Sequence, residues 1–385
     1  MDKRKRLRYG MVGGGIGAFI GAVHRKAIAL EETADLAAGC FSSRDEKNRE
    51  TGEFYGIAAD RIYKDYREMA QAEAAREDGI DFVSIVTPNA THYEVAKAFL
   101  EAGIHVACEK PLCFTVEQGE ELERLAEEKG LYFAVTYTYT GYAMVKLAKE
   151  LIEKDEIGDI VNVNAEYLQD WLIDEIGGGD QTTTKMSVWR TDPEKSGISN
   201  CVGDIGTHIE DTVAYITGMH PKKVAAVLDH YGMDLDLNAN ILVEYENGVH
   251  GVYSCSQVCA GHLNGLVVRI FGSQGAIEWV QEEPDYLKVT KKGQPEQIYH
   301  RGTGYVTGRG AELSHIPSGH PEGLTYAFAN IYHGFMGAVL KSINGEAVEK
   351  ADLDFPSVHD GVAGVRFIHA AVESSKNNAA WTELK

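Results

Sequence analysis

The feature that most constrains the fold is a glycine-rich segment near the N-terminus, Gly13-x-Gly15-x-x-Ala18. The apolar run before it, residues 8–12, is predicted as a strand, and residues 18–30 are predicted as a helix. Glycine lets the backbone approach a pyrophosphate closely, and a helix N-terminus offers unpaired N–H groups and a positive dipole end. The small Ala18 is expected to let helix and strand pack closely. The segment therefore predicts a dinucleotide-binding βαβ unit, and the alternative is a turn that holds no ligand.

The chain as a whole is predicted to have an α/β fold in two domains, since 385 residues exceed the ~250–300 at which one core stops growing. Strand and helix patterns alternate up to residue 136, which predicts a parallel Rossmann sheet in domain 1–136. Beyond it, long alternating segments separated by glycine turns predict an α+β domain, 137–385, on an open, mainly antiparallel sheet. Two helical patterns, 324–343 and 358–375, either cover that sheet or pack back on the first domain.

The composition narrows the class of function. A net charge of -21 argues against a nucleic-acid partner, because binding a polyanion requires basic surface. No apolar run approaches the ~20 residues that span a bilayer, and no signal-peptide pattern is present, so we expect a cytoplasmic protein with no membrane partner. The six cysteines contain no Cys-x-x-Cys pair, which favours reduced thiols over disulfides or a metal site.

The choice between NAD and NADP depends on the end of the second strand, predicted at residues 35–41. An acidic side chain there often holds the ribose 2′-hydroxyl of NAD, but this chain has Ser42, Ser43 and Arg44 instead. These residues could accept a 2′-phosphate or contact an unphosphorylated ribose, while Asp45 lies one residue further on. We predict NAD as the cofactor and leave NADP open.

Further cofactor contacts are predicted from the glycine loop and from the carboxyl edge of the sheet, where open α/β folds bind ligands. The segment Thr87-Pro88-Asn89-x-x-His92 follows a predicted strand, although Asn89 and His92 could also only form the turn and cap the helix. The complete set of candidate cofactor residues is Gly13, Gly15, Ile16, Gly17, Ser42, Ser43, Arg44, Thr87, Asn89, His92, Glu109 and Lys110.

The candidate catalytic residues are Lys110, Asp204 and His208. Lys110 follows the predicted strand His105–Cys108 and precedes a proline, which favours a lysine held at the cofactor edge, where its ammonium can stabilise developing alkoxide. Asp204 and His208 are four residues apart, so a helix through this segment would let both side chains face the same cleft. A neutral imidazole can then accept an alcohol proton. The alternative is a helix-capping aspartate and a structural histidine.

The glycine motif, Glu109-Lys110-Pro111 and Asp204-x-x-x-His208 occur in the order found in the Gfo/Idh/MocA family, which this chain resembles over almost its entire length. That family includes glucose–fructose oxidoreductase and inositol dehydrogenases. The resemblance implies a Rossmann domain followed by a substrate domain with an open sheet. It also implies a homodimer or homotetramer, because the sheet commonly forms the subunit contact in such enzymes.

Segments around Tyr139, Trp171, Trp189-Arg190 and His320 look like the levoglucosan dehydrogenase and glycoside 3-dehydrogenase branch of that family. This resemblance implies oxidation of a secondary hydroxyl, at C3, of a pyranose sugar, anhydrosugar or glycoside. The proton would pass to His208 while Lys110 positions the reacting oxygen. The implied substrate residues are Lys110, Tyr139, Trp171, Trp189, Arg190, Asp204, His208 and His320.

Two other functions remain compatible with the sequence. The same scaffold can support an NAD-dependent glycosidase that oxidises C3 transiently and then eliminates the aglycone. A non-catalytic nucleotide-binding regulator is the third possibility, but the presence of both Lys110 and His208 argues against it.

Overall fold

The glycine segment follows the first strand of a five-stranded parallel sheet, ordered β2-β1-β3-β4-β5. The strands are β1 Leu7–Gly13, β2 Ala34–Cys40, β3 Phe82–Val86, β4 His105–Cys108 and β5 Phe133–Val135. Five helices connect them: Phe19–Leu30, Asp45–Phe54, Tyr66–Ala74, His92–Glu101 and Val116–Lys129. The predicted Rossmann sheet is confirmed.

The computed structural model describes residues 5–176 and 189–385. These described residues fall into two compact units, the first within Met1–Thr138 and Leu324–Val362 and the second within Tyr139–Gly323 and Ala363–Lys385. The division into domains 1–136 and 137–385 stays a prediction, and the structure groups the segment Leu324–Val362 with the first unit.

The helix Leu324–Ile343 belongs to the first unit because it packs in the core of that unit. This helix packs beside Phe19–Leu30. The ring of Phe82 in β3 lies edge-on to Phe335 at 5.3 Å and stacks on Tyr9 of β1 at 5.4 Å. Of the two placements that the sequence leaves open for this helix, packing on the first domain is the observed one.

The second unit is built on a nine-stranded sheet, ordered β13-β12-β11-β10-β6-β9-β8-β7-β14. Its strands are β6 Ile160–Leu168, β7 Pro221–Asp229, β8 Asn238–Tyr245, β9 His250–Ser256, β10 Gly265–Gly272, β11 Gly275–Val280, β12 Tyr286–Lys291, β13 Gln297–His300 and β14 Thr382–Glu383. Within the part of this unit that the structure describes, only β6 and β9 pair in parallel. The predicted open, mainly antiparallel sheet is therefore confirmed.

One face of this sheet is buried, because side chains alternate along each strand. On β6 the inward side chains are Val163, Ala165 and Tyr167. Among the described residues, the α-helices of the unit are Ala143–Glu153, Pro193–Ser196, Thr207–Thr217, Gly308–Glu312 and most of Val358–Lys376, and a π-helical turn spans Val202–Gly206. Thr207–Thr217 packs on β6, which brings its N-terminal residues close to Tyr167.

No helix within the described ranges is long and apolar enough to cross a membrane.

Candidate active site

The glycine loop is shaped by close backbone contacts on one side and open space on the other. A Cβ on Gly21 would lie 2.4 Å from the Cα of Gly14, so the closest approach between helix and loop is at Gly21. Ala18, to which the sequence analysis gave this role, is instead the residue that precedes the helix. Gly17 has φ +82°, and a Cβ there would meet nothing within 4 Å. The loop therefore packs tightly on its own helix and leaves its outer side open.

The residues of this loop fit a dinucleotide. The helix Phe19–Leu30 has no side-chain cap at its N-terminus, so the N–H groups of its first turn are available to an anion. The backbone N–H of Ile16 instead donates to Oγ1 of Thr51 at 3.2 Å, which holds the outer part of the loop. A pyrophosphate placed at the uncapped turn would face both N–H groups and glycine backbone.

The end of β2 carries no free carboxylate at the position that holds a ribose. Ser42 is half-buried and its Oγ accepts from the backbone N–H of Arg44 at 3.2 Å, while Ser43 and Arg44 are exposed. Asp45 begins the next helix, and its carboxylate bonds Nζ of Lys64 at 2.6 Å. The side chains available to an adenosine ribose here are thus two hydroxyls and a guanidinium.

The loop after β3 contains two half-buried candidates, Thr87 and Asn89, and one fully buried candidate, His92. The ring nitrogens of His92 lie 2.8 Å from the carbonyl oxygen of Pro111 and 2.9 Å from that of Thr87. Burial lowers the pKa of His92, against the two carbonyls that raise it. His92 therefore ties this loop to the Lys110-Pro111 loop, and its ring does not face outward to a cofactor.

Glu109 lies in a buried hydrogen-bond network at the end of β4. Its Oε1 accepts from Nε2 of His24 at 2.7 Å and from the hydroxyl of Thr136 at 2.8 Å. Burial alone would raise the pKa of Glu109, but the hydrogen bond and charge of His24, with further help from Lys110, lower it to about 2. Glu109 is therefore a buried carboxylate that anchors the half-buried Lys110 next to it.

The network extends to residues that the sequence analysis missed. Nδ1 of His24 lies 2.7 Å from the hydroxyl of Tyr332, which in turn lies 2.9 Å from Oγ of Ser84. His24, Tyr332 and Ser84 are all at most 1% exposed. A signal was present for His24, because a histidine stands on the apolar face of the first helix, beside Gly21, Ala27 and Ile28 at helical spacing. No local signal identifies Tyr332.

In the second unit, Asp204 and His208 lie in two consecutive helical segments of different type. Asp204 is in the π-helical turn Val202–Gly206, and His208 is in the first turn of Thr207–Thr217. The helix on which the expected common orientation depends is therefore present, with a π turn in its first part. Single π turns within helices are frequent at functional sites. The turn begins where the buried carboxylate of Asp236 accepts from the backbone N–H groups of Asn200 and Val202, both at 2.9 Å.

The carboxylate of Asp204 is held by a hydrogen bond from Gln257 and an ion pair with Arg190. Its Oδ2 accepts from Nε2 of Gln257 at 2.9 Å and lies 3.4 Å from Nε of Arg190. The Arg190 guanidinium lies over the ring of Trp189, at 4.5 Å from the centroid, and 5.9 Å from that of Trp171. Four of the predicted substrate residues, Trp171, Trp189, Arg190 and Asp204, are thus brought together.

Tyr139, also in the second unit, contacts His208. The two rings meet edge-on with centroids 4.6 Å apart, and the hydroxyl of Tyr139 bonds that of Tyr167. Burial, followed by the neighbouring Tyr139, raises the pKa of Tyr167 well above its usual value, so this phenol stays neutral at physiological pH. Oδ1 of Asn264 accepts from Tyr167 at 2.6 Å and from Nε2 of Gln169 at 2.8 Å. Gln169 then accepts from the indole N–H of Trp171 at 2.9 Å.

His320 is not brought into this cluster by any contact within the described residues. It is exposed, and its backbone carbonyl accepts from the buried Arg301 at 2.5 Å. Arg301 also pairs with Asp285 at 2.7 Å and Glu322 at 2.8 Å, which fixes the loop. The imidazole of His320 makes no hydrogen bond within residues 5–176 and 189–385.

Two family models match the chain. Residues 7–137 match an oxidoreductase family described as having an NAD-binding Rossmann fold, and residues 145–278 match a GFO/IDH/MocA C-terminal domain. The two matches lie in the same order as the two sheets of the structure.

Known proteins resemble the chain over nearly its full length. An uncharacterized oxidoreductase of Bacillus subtilis, YfiI, is 37% identical over 99% of this chain and 98% of its own. Levoglucosan dehydrogenase of Pseudarthrobacter phenanthrenivorans is 28% identical over 99% of this chain and 98% of its own. The crystal structure of an inositol dehydrogenase homolog from Azotobacter vinelandii, complexed with NADH and myo-inositol, matches with a TM-score of 0.90 and 34% identity over 99% of both chains.

Proposed function

The chain belongs to the Gfo/Idh/MocA family of oxidoreductases, with an NAD-binding Rossmann fold, and we propose that it oxidises a secondary hydroxyl of a pyranose sugar, anhydrosugar or glycoside, at C3, to a ketone. The observation that carries this proposal is the cluster in which Arg190 lies between Asp204 and the rings of Trp171 and Trp189. Indole faces cover the C–H faces of a sugar ring, while a carboxylate and a guanidinium bond its hydroxyls.

NAD, when bound, supplies the two-electron acceptor for the hydrogen on the reacting carbon. The residues that would hold it are the glycine loop, Ser42 to Arg44, Thr87 and Asn89, whereas the buried His92 would act through the backbone that it fixes. Ser42 and Arg44 could contact either the 2′-phosphate of NADP or the unphosphorylated ribose of NAD.

Lys110 would hold the reacting oxygen and stabilise its developing negative charge. Its backbone is fixed from both sides, by the buried Glu109 before it and by His92, which bonds the carbonyl of Pro111 after it. A lysine fixed in this way loses less freedom when it binds substrate.

His208 would accept the hydroxyl proton. Its ring packs against Tyr139, whose hydroxyl bonds Tyr167, so the imidazole has a defined orientation. Asp204, held by Gln257 and Arg190, would bind a neighbouring hydroxyl or favour the charged imidazolium.

A cyclic polyol is the second candidate substrate, and one observation favours it. The inositol dehydrogenase homolog, whose structure contains NADH and myo-inositol, is 34% identical, compared with 28% for levoglucosan dehydrogenase. The transient-oxidation glycosidase is the third candidate, and it differs in its products, which are a free aglycone and no net NADH.

A homodimer or homotetramer in the cytoplasm stays a prediction. The exposed face of the nine-stranded sheet carries Val227, Leu242 and Val252 at 49%, 50% and 38% exposure. Such an apolar face is compatible with contact between subunits.

The test is absorbance at the reduced-nicotinamide band with levoglucosan, simple glucosides, glucose and myo-inositol, each with NAD and NADP. We expect a sugar- or glycoside-dependent signal that falls by about 10³-fold or more in Lys110→Ala and His208→Asn, since each removes a group that acts on the reacting hydroxyl. Lys97→Ala is the matched control, because that lysine pairs with Glu121 on the helix surface. A signal with myo-inositol alone selects the polyol, whereas free aglycone without NADH selects the glycosidase.

A further inference from the structure

The orientation of the Asp204 carboxylate depends on a residue that lies 53 positions further along the chain. Gln257 is fully buried, and its Nε2 donates to Oδ2 of Asp204 at 2.9 Å. The Arg190 Nε approaches the same oxygen at 3.4 Å. The hydrogen bond from Gln257 therefore sets the direction of this oxygen, while the Arg190 guanidinium adds charge attraction as an ion pair.

The amide of Gln257 can face only one way. Its Oε1 accepts from Nδ2 of Asn200 at 2.6 Å, so its NH₂ group must point to Asp204. The reverse orientation would set an amide oxygen against a carboxylate and an NH₂ group against another NH₂ group, which leaves buried groups unpaired. The backbone of Gln257 is also fixed, since its N–H donates to Leu237 and its carbonyl accepts from Leu172.

Asn200 is held by Asp236, which also accepts from the backbone N–H of Val202 at the start of the turn that carries Asp204. Its backbone N–H donates to Asp236 at 2.9 Å, and its Nδ2 also lies 3.3 Å from the Asp236 carbonyl oxygen. Asp236, Asn200 and Gln257 are each at most 2% exposed. A buried hydrogen-bond chain therefore runs from the start of the π-helical turn back to the carboxylate within that turn.

We propose that Gln257 is a positioning residue for the reaction, which fixes the direction of the Asp204 carboxylate while Asn200 fixes the direction of the Gln257 amide. This inference rests on the proposed function, in which Asp204 acts on the substrate or on His208. A neutral amide donor suits this task because it orients the carboxylate without adding a second full charge next to it.

Two variants test this role. Gln257→Leu keeps most of the volume and removes the donor, and we expect kcat/KM to fall about 10- to 100-fold at every pH, the value of a hydrogen bond to a charged group. Gln257→Glu sets a second carboxyl group 2.9 Å from Asp204. Two carboxyl groups at this distance share one proton, so the protonated Glu can still donate at low pH. The ratio of variant to wild-type kcat/KM is expected to fall at least about tenfold between pH 6 and pH 9.

The matched control is Gln281→Glu, the same change in the same unit, at a side chain whose Nε2 lies 3.4 Å from the Tyr142 hydroxyl. The ratio of its kcat/KM to that of wild type is expected to stay constant with pH. A flat ratio for Gln257→Glu, or a Gln257→Leu variant within twofold of wild type, would overturn the proposal, because a merely structural role predicts no dependence on pH.

A failure of the proposed function is distinguishable from a failure of this inference. If wild type oxidises no substrate in the panel, thermal unfolding of wild type and Gln257→Glu between pH 5 and pH 8 still shows whether the introduced carboxyl group interacts with Asp204. A shared proton raises the pKa of the pair in the folded state, so the Tm of Gln257→Glu should fall relative to wild type by about 2–4 °C as pH rises. No relative fall would show that the two side chains are not coupled and would end the proposal.

Discussion

Nε2 of His24 lies 2.7 Å from Oε1 of Glu109, with both side chains buried inside the first unit. His24 stands in the helix that follows the glycine loop, and Glu109 immediately precedes Lys110. One hydrogen bond thus joins the helix after the glycine loop to the residue before Lys110, the proposed catalytic lysine. Tyr332, from the helix Leu324–Ile343, completes the arrangement from the other side of the imidazole.

Removing the imidazole should destabilise the first unit strongly. In His24→Phe the ring still packs beside Phe328, at 4.8 Å in the native chain, but Glu109 is left as a buried carboxylate without its main donor. We expect a loss of about 2–4 kcal/mol in the free energy of unfolding, measured by urea denaturation. The control is His359→Phe, because the exposed His359 pairs with Glu123 on the surface of the same unit and its loss should cost less than about 1 kcal/mol. Equal losses in both variants would contradict the role given to His24.

The stability of the protein should depend on Glu109 at acid pH. Its pKa is lowered from 4.5 to about 2, because the hydrogen bond and charge of His24 outweigh the opposing effect of burial. A lowered pKa in the folded state contributes stability that is present above the unfolded pKa and is lost as pH falls towards the folded pKa. Between pH 5 and pH 3 this contribution should shrink by roughly 2 kcal/mol.

The comparison is between wild type and Glu109→Gln, with unfolding free energies measured at both pH values. The variant has no carboxyl group to titrate, so the stability gap between the two proteins should narrow by that amount. A gap that stays constant would show that Glu109 is not held as an anion.

Gly21 should be intolerant of any side chain, because a Cβ there would overlap the backbone of Gly14. We expect Gly21→Ala to shift the glycine loop, to destabilise the protein by about 1–3 kcal/mol and to weaken NADH binding at least tenfold. NADH fluorescence titration and denaturation measure the two effects. Gly337→Ala is the control, since a Cβ at that helical position meets nothing within 4 Å and should stabilise by about 0.5–1 kcal/mol. Unchanged NADH affinity in Gly21→Ala would show that the contact between Gly21 and Gly14 does not affect cofactor binding.

Arg44 should affect NADP more than NAD. It is the exposed cation at the end of β2, where no carboxylate is available to a ribose. In Arg44→Ala we expect kcat/KM for NADP to fall about tenfold or more, since a 2′-phosphate loses its charged partner, while the value for NAD changes less than about threefold. Arg49→Ala, on the surface of the following helix, should change neither value. Equal losses for both nucleotides in Arg44→Ala would place Arg44 away from the 2′ position.

The sequence allowed most of the fold to be predicted, because local patterns carry the required information. Strand β1, the glycine loop and the following helix were recognisable from apolar periodicity and glycine spacing within 24 residues. Strands β12 and β13 were not predicted. β12 alternates but buries only two side chains, Leu287 and Val289, and β13 is an edge strand in which no side chain is fully buried. So few buried positions give too short an apolar pattern to identify a strand from the sequence.

The sequence by itself determined which residue types are available for catalysis and binding, and in which order, because motifs such as Glu109-Lys110-Pro111 are local. Only the tertiary structure decided which other side chains hold these residues in position. Tyr332 meets His24 across 308 positions, and Gln257 meets Asp204 across 53. These pairs form because helices and strands distant in sequence bury their polar groups against one another, and a buried polar group must find a partner wherever packing places one. No periodicity along the chain encodes that choice.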